Sequence, residues 1–227
     1  VALELQELHF AYGREGFNLG LPQLEILPGE SVALVGPSGS GKTTLLNLIA
    51  GILNPDSGSI TLDGKCLSEL GQHRRRQHRL ASIGMIFQSF ELLDYLDVRD
   101  NVLLQARLAP GVSINAELEQ RARGIAAELG LGEKWRRPVD ALSQGERQRV
   151  AVCRALLLDP PLVLADEPTG NLDPENKQKV LEQLIALCVR DQRILLVVTH
   201  DHSLLHSFDR VIEMGELRAG DHEVLAG

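Results

Sequence analysis

The residues best suited to chemistry lie in a few short stretches, the first being GPSGSGKT, Gly36 to Thr43. It fits G-x-x-x-x-G-K-[ST], a pattern in which glycines let the backbone wrap closely around phosphates with its N–H groups pointing inward. SVALV before it reads as a buried strand, and TLLNLIAG after it as a helix whose positive N-terminus faces the anion. Gly36, Pro37, Ser38, Gly39, Ser40, Gly41 and Thr44 supply the cradle, Lys42 a point charge for the outer phosphates, and Thr43 a hydroxyl for Mg²⁺. A second stretch, LVLADE, ends an apolar run in two carboxylates, Asp166 and Glu167. Beside a phosphate loop, Asp166 is the metal-side group and Glu167 the one that orients and polarises an attacking water. The structural alternative is a pair that caps the following helix. RILLVVTH puts His200 at the end of another apolar run, and Gln88 follows SIGMIF. A lone strand-end histidine is more often structural, but on one edge of a parallel sheet these groups share the crevice where such sheets bind ligands.

The elements that must position them follow from the apolar pattern. Ser31 to Gly36, Ser82 to Phe87, Pro161 to Asp166 and Arg193 to His200 are near-continuous apolar runs, as buried parallel strands require. Alternating with helical stretches, they predict an α/β fold with a mainly parallel core sheet. LELQELHFAYG, LPQLEILPGE and SITLDG alternate more, which predicts an antiparallel β flank toward the N-terminus. Between Gln88 and Leu158 helical periodicity replaces strands, as in Leu118, Ala122, Ile125, Ala126 and Leu129. The expected organisation is one domain, with residues 1–87 and 159–227 as the core and 88–158 as a helical insertion. Pro174 to Val189 reads as a core-facing helix, and the basic run HRRRQHR as a solvated helix face rather than a nucleic-acid patch.

Composition limits the class of partner. The chain has 227 residues and a formal charge of -8, so its overall field repels nucleic acid and anionic lipid. Cys66, Cys153 and Cys188 are far apart, without CxxC spacing, and read as reduced thiols of a cytoplasmic protein. No apolar run approaches the roughly 20 residues of a membrane span, so attachment to a membrane is expected through another chain.

The ordered set GPSGSGKT, Gln88, LSQGE, LVLADE, NLD and His200 resembles the ATP-binding-cassette ATPases, over nearly the whole chain from Tyr12 to about Leu217. The resemblance implies a P-loop NTPase core and two cassettes closing head-to-tail around two MgATP. Each ATP would lie between one phosphate loop and the partner's signature, here LSQGE. Ser143 and the backbone of Gly145 would then contact the γ-phosphate across the dimer, and Asp173 would couple the two sites. Glu167 and His200 would act on the attacking water, with His200 also holding the γ-phosphate. Gln88 would sense Mg²⁺ and the nucleotide state. Tyr12 matches the family's adenine-stacking aromatic, with Phe10 two residues away on the same face as the alternative. Gln144 stands in place of the first signature glycine, and would be unfavourable there if the backbone needed positive φ. Glu146 stands where many members have Gln, and suits the first turn of a helix.

DEPTGNLD and FQSFELLDYLDVRDNV resemble the branch that serves lipoprotein release, macrolide and peptide export, and cell-division or mechanotransmission complexes. In that branch Ser89 to Asn101 receives a coupling helix, although Phe90, Leu92, Leu93, Tyr95 and Leu96 equally suit the insertion core. The implied protein is a cytoplasmic ATPase subunit, peripheral on the inner face of the membrane, homodimeric in turnover. Its partners would be integral membrane permease subunits in separate chains, with ATP and Mg²⁺ as ligands and no nucleic acid. The alternative is a soluble cassette ATPase acting on nucleic acid or ribosomes.

Overall fold

Two apolar patterns in the sequence produce two kinds of sheet. The computed structural model describes residues 2–13 and 16–219, so the outer bounds 1 and 227 of the expected core lie outside the described residues. The alternating segments β1 (Leu3–Ala11), β2 (Asn18–Ile26), β4 (Ser57–Leu62) and β5 (Lys65–Cys66) form an antiparallel sheet in the order β2-β1-β4-β5. The continuous apolar segments β3 (Ser31–Val35), β6 (Ile83–Ile86), β7 (Leu162–Asp166) and β8 (Ile194–Val198) pair in parallel, joined by β9 (Arg210–Glu213), in the order β6-β7-β8-β3-β9.

Each strand of the parallel sheet divides its side chains between two cores with period two. Ala33, Val163, Ala165, Leu195 and Val197 face one core, and Val32, Leu34, Leu162, Leu164, Leu196 and Val198 the other. The second core is closed by α1 (Lys42–Ile49) and the antiparallel flank. The first is closed by helices, several of them from the segment between Gln88 and Leu158: α3 (Val98–Val102), α4 (Leu104–Leu108), α5 (Ala116–Glu128) and α6 (Gln144–Leu156). The helical segment thus shares a core with the sheet instead of folding around one of its own. Its start is pinned by the buried amide of Asn101, which accepts from the Leu93 N–H (2.8 Å) and donates to the carbonyls of Leu93 and Asp97 (both 3.1 Å).

The remaining helices are α2 (Gln72–Ser82), α7 (Pro174–Arg190) and α8 (Met214–Ala219). Proline at the first position of α7, after the Asp173 cap, follows the usual rule for helix starts. Val180, Leu181, Leu184 and Cys188 are buried on α7, as their spacing predicts. Among the described residues no helix is long and apolar enough to cross a membrane.

The turn after β8 is held by Asp201. Its carboxylate accepts from the Ser203 hydroxyl (2.6 Å) and from Lys177 Nζ on α7 (2.9 Å), and these contacts lower its pKa to about 2. A carboxylate depressed in the folded state contributes stability above its unfolded pKa of roughly 4 and loses it as pH falls toward the folded value. Asp201→Asn is therefore expected to lower unfolding free energy by about 1 kcal/mol at neutral pH. In urea titrations at a series of pH values the difference from wild type should shrink between about pH 4 and pH 2; a constant difference would exclude this role.

Candidate functional site

Because β3, β6, β7 and β8 are parallel, the segments that follow them emerge at one edge of the sheet. The phosphate-loop sequence follows β3, Gln88 follows β6, Asp166 and Glu167 end β7, and His200 follows β8. Phe17, Ser38, Gly39, Gly41, Lys42, Thr43, Thr44, Gln88, Asp166 and Glu167 line one cleft there.

The loop itself is shaped by backbone that ordinary residues avoid. Gly41, the residue before α1, has φ 102°. A Cβ at Gly41 would come within 2.4 Å of the Phe17 ring, so this glycine is required by both conformation and space. Lys42 curls over its own loop, donating from Nζ to the carbonyls of Gly36 (2.7 Å) and Pro37 (3.0 Å). That holds one positive charge above inward-facing amides at a helix N-terminus, a fit for a polyphosphate. Ser40 lies beneath the loop, where its buried hydroxyl has no partner among the described residues.

Across the cleft, the Thr43 hydroxyl donates to Asp166 Oδ2 (3.1 Å). Burial raises the Asp166 pKa; the bond from Thr43 opposes the rise, the neighbouring Glu167 adds to it and Lys42 opposes it. A hydroxyl and a partly buried carboxylate form an all-oxygen donor pair suited to a hard cation that keeps most of its other ligands from phosphate and water. Glu167 sits beyond the strand with φ 48°, an uncommon region for a residue with a side chain and one that clusters at functional sites. The turn is fixed by the Glu167 N–H to the Val198 carbonyl (2.9 Å). Glu167 Oε1 lies 2.7 Å from His200 Nδ1, and Oε2 accepts from the His200 N–H (3.4 Å). The pair sets a carboxylate, steadied by an imidazole, beside the cleft that Lys42 and Thr43 line, an arrangement able to position and polarise water.

Gln88 is held from the loop after Glu167. Asn171 donates to its carbonyl (2.7 Å), and a Cβ on Gly170 would come 3.1 Å from its Nε2. The turn that follows Gln88 contains two consecutive left-handed residues, Phe90 (φ 62°) and Glu91 (φ 49°). Arg154 of α6 secures both: its guanidinium, largely buried, donates to the Phe90 carbonyl (2.7 Å) and to that of Glu91. Sequence reasoning missed Arg154, whose only signal was a charge in an otherwise apolar run, AVCRALLL. It missed Phe17 too, an aromatic set apart from any hydrophobic pattern.

The other expected site residues lie elsewhere. Ser143, Gln144, Gly145 and Asp173 do not line the cleft of their own chain. Ser143 caps α6 in a reciprocal capping box with Glu146, whose carboxylate also pairs with Lys134. Gln144 is the first residue of that helix, is exposed, and does not have positive φ, so the backbone tolerates glutamine there. Gly145 is buried against α7: a Cβ would meet Asn176 Oδ1 at 3.2 Å. Asn176 in turn donates to Asp173 Oδ2 (2.7 Å), and these bonds lower the Asp173 pKa. Tyr12 is 48% exposed, its ring edge-on to Phe10 at 4.8 Å, and its N–H donates to the Phe17 carbonyl (2.9 Å). Phe17, not Tyr12, is the aromatic that touches the phosphate loop.

The coupling segment divides. Phe90 is buried, Leu92, Leu93 and Leu96 are half-buried, and Tyr95 is 82% exposed. Beside it runs an apolar groove lined by Leu80, Phe87, Leu104 and Leu108, with Arg79 and Arg154 at its edges.

Comparison with known proteins identifies the family and the fold. Residues 21–170 match the family model described as ABC transporter. The chain is 43% identical to the lipoprotein-releasing system ATP-binding protein LolD of Pseudomonas fluorescens over 194 residues, covering 86% of this chain and 85% of that protein. Among solved structures it is similar to a dimeric ATP-binding cassette in a post-hydrolysis state bound to ADP and Pi, with TM-score 0.79, 30% identity and 93% of both chains covered. It is also similar to cbiO1 of Clostridium perfringens, part of the ABC transporter complex cbiONQ, with TM-score 0.76, 27% identity, and 93% of this chain and 83% of that one covered.

Arg154 gives this geometry a direct check. Arg154→Met removes two hydrogen bonds from a charged donor and leaves two carbonyls unpaired, so the unfolding free energy should fall by about 2–4 kcal/mol. Denaturant unfolding measures this, and a loss below about 1 kcal/mol would mean that the left-handed turn does not depend on the guanidinium.

Proposed function

The chain belongs to the ABC transporter family, and from that premise we propose the roles of its residues and the assembly in which they act. It is an ATP-binding and ATP-hydrolysing subunit of a transport complex. The backbone of Gly36 to Thr44 cradles the phosphates and Lys42 places its charge on the outer ones. Thr43 and Asp166, with Gln88 nearby, would hold Mg²⁺; when bound, the ion neutralises charge on the phosphate oxygens. The observation that carries the catalytic reading is the Glu167–His200 contact at 2.7 Å, at the mouth of the cleft that Lys42 and Thr43 line. Glu167 orients the attacking water and accepts its proton, and His200 holds Glu167 and the γ-phosphate in register. Most of the rate enhancement would come from positioning and charge stabilisation. The nucleoside would lie over Tyr12, whose N–H bonds the carbonyl of Phe17, the aromatic that touches the phosphate loop.

The signature acts in trans. Ser143 and Gly145 sit at the start of a helix, outside their own chain's cleft, with Ser143 and Gln144 exposed and Gly145 packed behind them, and a helix N-terminus with a free face is suited to a phosphate brought by a second copy. The dimeric form of a similar cassette supports the same reading. Asp173, joined to Gly145 through Asn176, then links one site to the other. Membrane permease subunits in separate chains would dock against exposed Tyr95 and the groove of Leu80, Phe87, Leu104 and Leu108, keeping the ATPase on the cytoplasmic face. The relative named as part of a lipoprotein-releasing system favours export or extraction as the direction of transport.

Glu167→Gln tests the assignment. It should retain ATP binding, slow phosphate release by about a hundredfold or more, and accumulate a dimer with ATP in size-exclusion chromatography. Wild-type turnover by this variant would remove Glu167 from the catalytic role.

A further inference from the structure

The basic run His73 to Arg79 has no part in the reading above, yet it forms a defined surface. Helix α2 carries His73, Arg74, Arg75, Arg76, His78 and Arg79, no carboxylate, and no buried residue. Its inner side is anchored: Arg79 donates to the Ala50 and Gly51 carbonyls at the end of α1 (3.3 and 3.2 Å), and Arg75 bonds Asn54. His73, Arg74 and Arg76 face outward and make no hydrogen bond or ion pair among the described residues. Like charges crowd α2: after burial, the neighbouring Arg76 and Arg75 lower the Arg79 pKa, and after burial, Lys65 lowers that of His78. Next to Gly51, which lies against the Arg75 side chain, Ile52 protrudes with 48% exposure.

We propose that the outward face of α2, carrying His73, Arg74 and Arg76, together with Ile52 protruding beside the Arg75 end of the helix, is a contact surface for the anionic headgroups of a phospholipid bilayer. Exposed cations beside a protruding aliphatic side chain are the combination that lets a protein surface rest on a membrane, the charges on headgroups and the alkyl group at the acyl boundary. A protein partner would instead require an apolar anchor in a pocket; the apolar side chain of α2, Leu80, is turned to the groove, and the exposed His73, Arg74 and Arg76 offer none. Flexible, unpaired arginines suit a fluid layer of phosphates. The overall charge of -8 does not oppose this, because fields are screened over about 8 Å at physiological ionic strength and a helix-sized patch is felt locally. The inference rests on the docking reading, because Arg79 and Leu80 border both α2 and the groove assigned to the membrane subunit. A permease seated there would bring α2 to the bilayer.

Co-sedimentation of the full chain with lipid vesicles, without permease or nucleotide, tests this. Binding to vesicles of phosphatidylcholine mixed with phosphatidylglycerol should exceed binding to phosphatidylcholine alone by about tenfold or more at low salt, and collapse at high salt. The double variant Arg74→Glu/Arg76→Glu should lose that preference while its ATPase rate in solution stays at the wild-type level, and Ile52→Ser should weaken binding to a lesser extent. Equal recovery from both vesicles, or a charge-reversed chain that binds like wild type, overturns the proposal. So does a variant that still binds anionic vesicles but loses stimulation by the membrane subunit in detergent, since α2 would then be reading an acidic protein segment. The catalytic reading fails separately, through Glu167→Gln, and leaves the vesicle result intact.

Discussion

The constraint on which everything else depends is that β6, β7, β8 and β3 run in one direction. Parallel strands in register deliver their following residues to a single edge, so Gln88, Asp166, Glu167, His200 and the phosphate loop meet although they are scattered over 165 positions, from Gly36 to His200. The apolar filling of both sheet faces makes that register hard to change, because a slip of one residue would exchange the side chains of the two cores. The rigid sheet therefore fixes the polar groups, while the strained backbone at Glu167 aims a carboxylate that a regular strand end would leave elsewhere.

Helix α6 ties this edge to the rest of the molecule. Its N-terminus carries Ser143 and Gly145, which meet the start of α7 and Asp173 through Asn176. Further along, Arg154 grips the turn immediately after Gln88. One helix thus touches both the residues proposed to cover a partner's nucleotide and the loop bordering its own chain's cleft. Arg154 would carry a movement of α6, when two cassettes close, to the carbonyls of Phe90 and Glu91 in the turn after Gln88.

Most of the parallel sheet was legible because its central strands are buried on both faces and read as unbroken apolar runs. The fifth strand, β9, was not: it is four residues long, lies at an edge, and exposes Val211. The helical segment was legible from its period, and the phosphate loop, Asp166, Glu167 and His200 from residue type at strand ends. Arg154 and Phe17 were invisible because their roles depend on backbone brought from distant parts of the chain. Gln144 marks the opposite case. Its substitution for glycine looked conformationally demanding in the sequence, but the position opens a helix, where glutamine is ordinary. The segment Ser89 to Asn101, readable as core or as surface, is both, with Phe90 turned inward and Tyr95 outward.

The central claim is that LSQGE serves the nucleotide of a second chain. Placing cysteines at both Ser38 and Ser143 of one chain, with Cys66 replaced by Ser and Glu167 by Gln to hold ATP, tests it on a non-reducing gel. The expected product is a covalent dimer that forms with ATP and not without nucleotide. An internal disulfide that migrates as a monomer in the presence of ATP would place the signature over its own chain's cleft and contradict it.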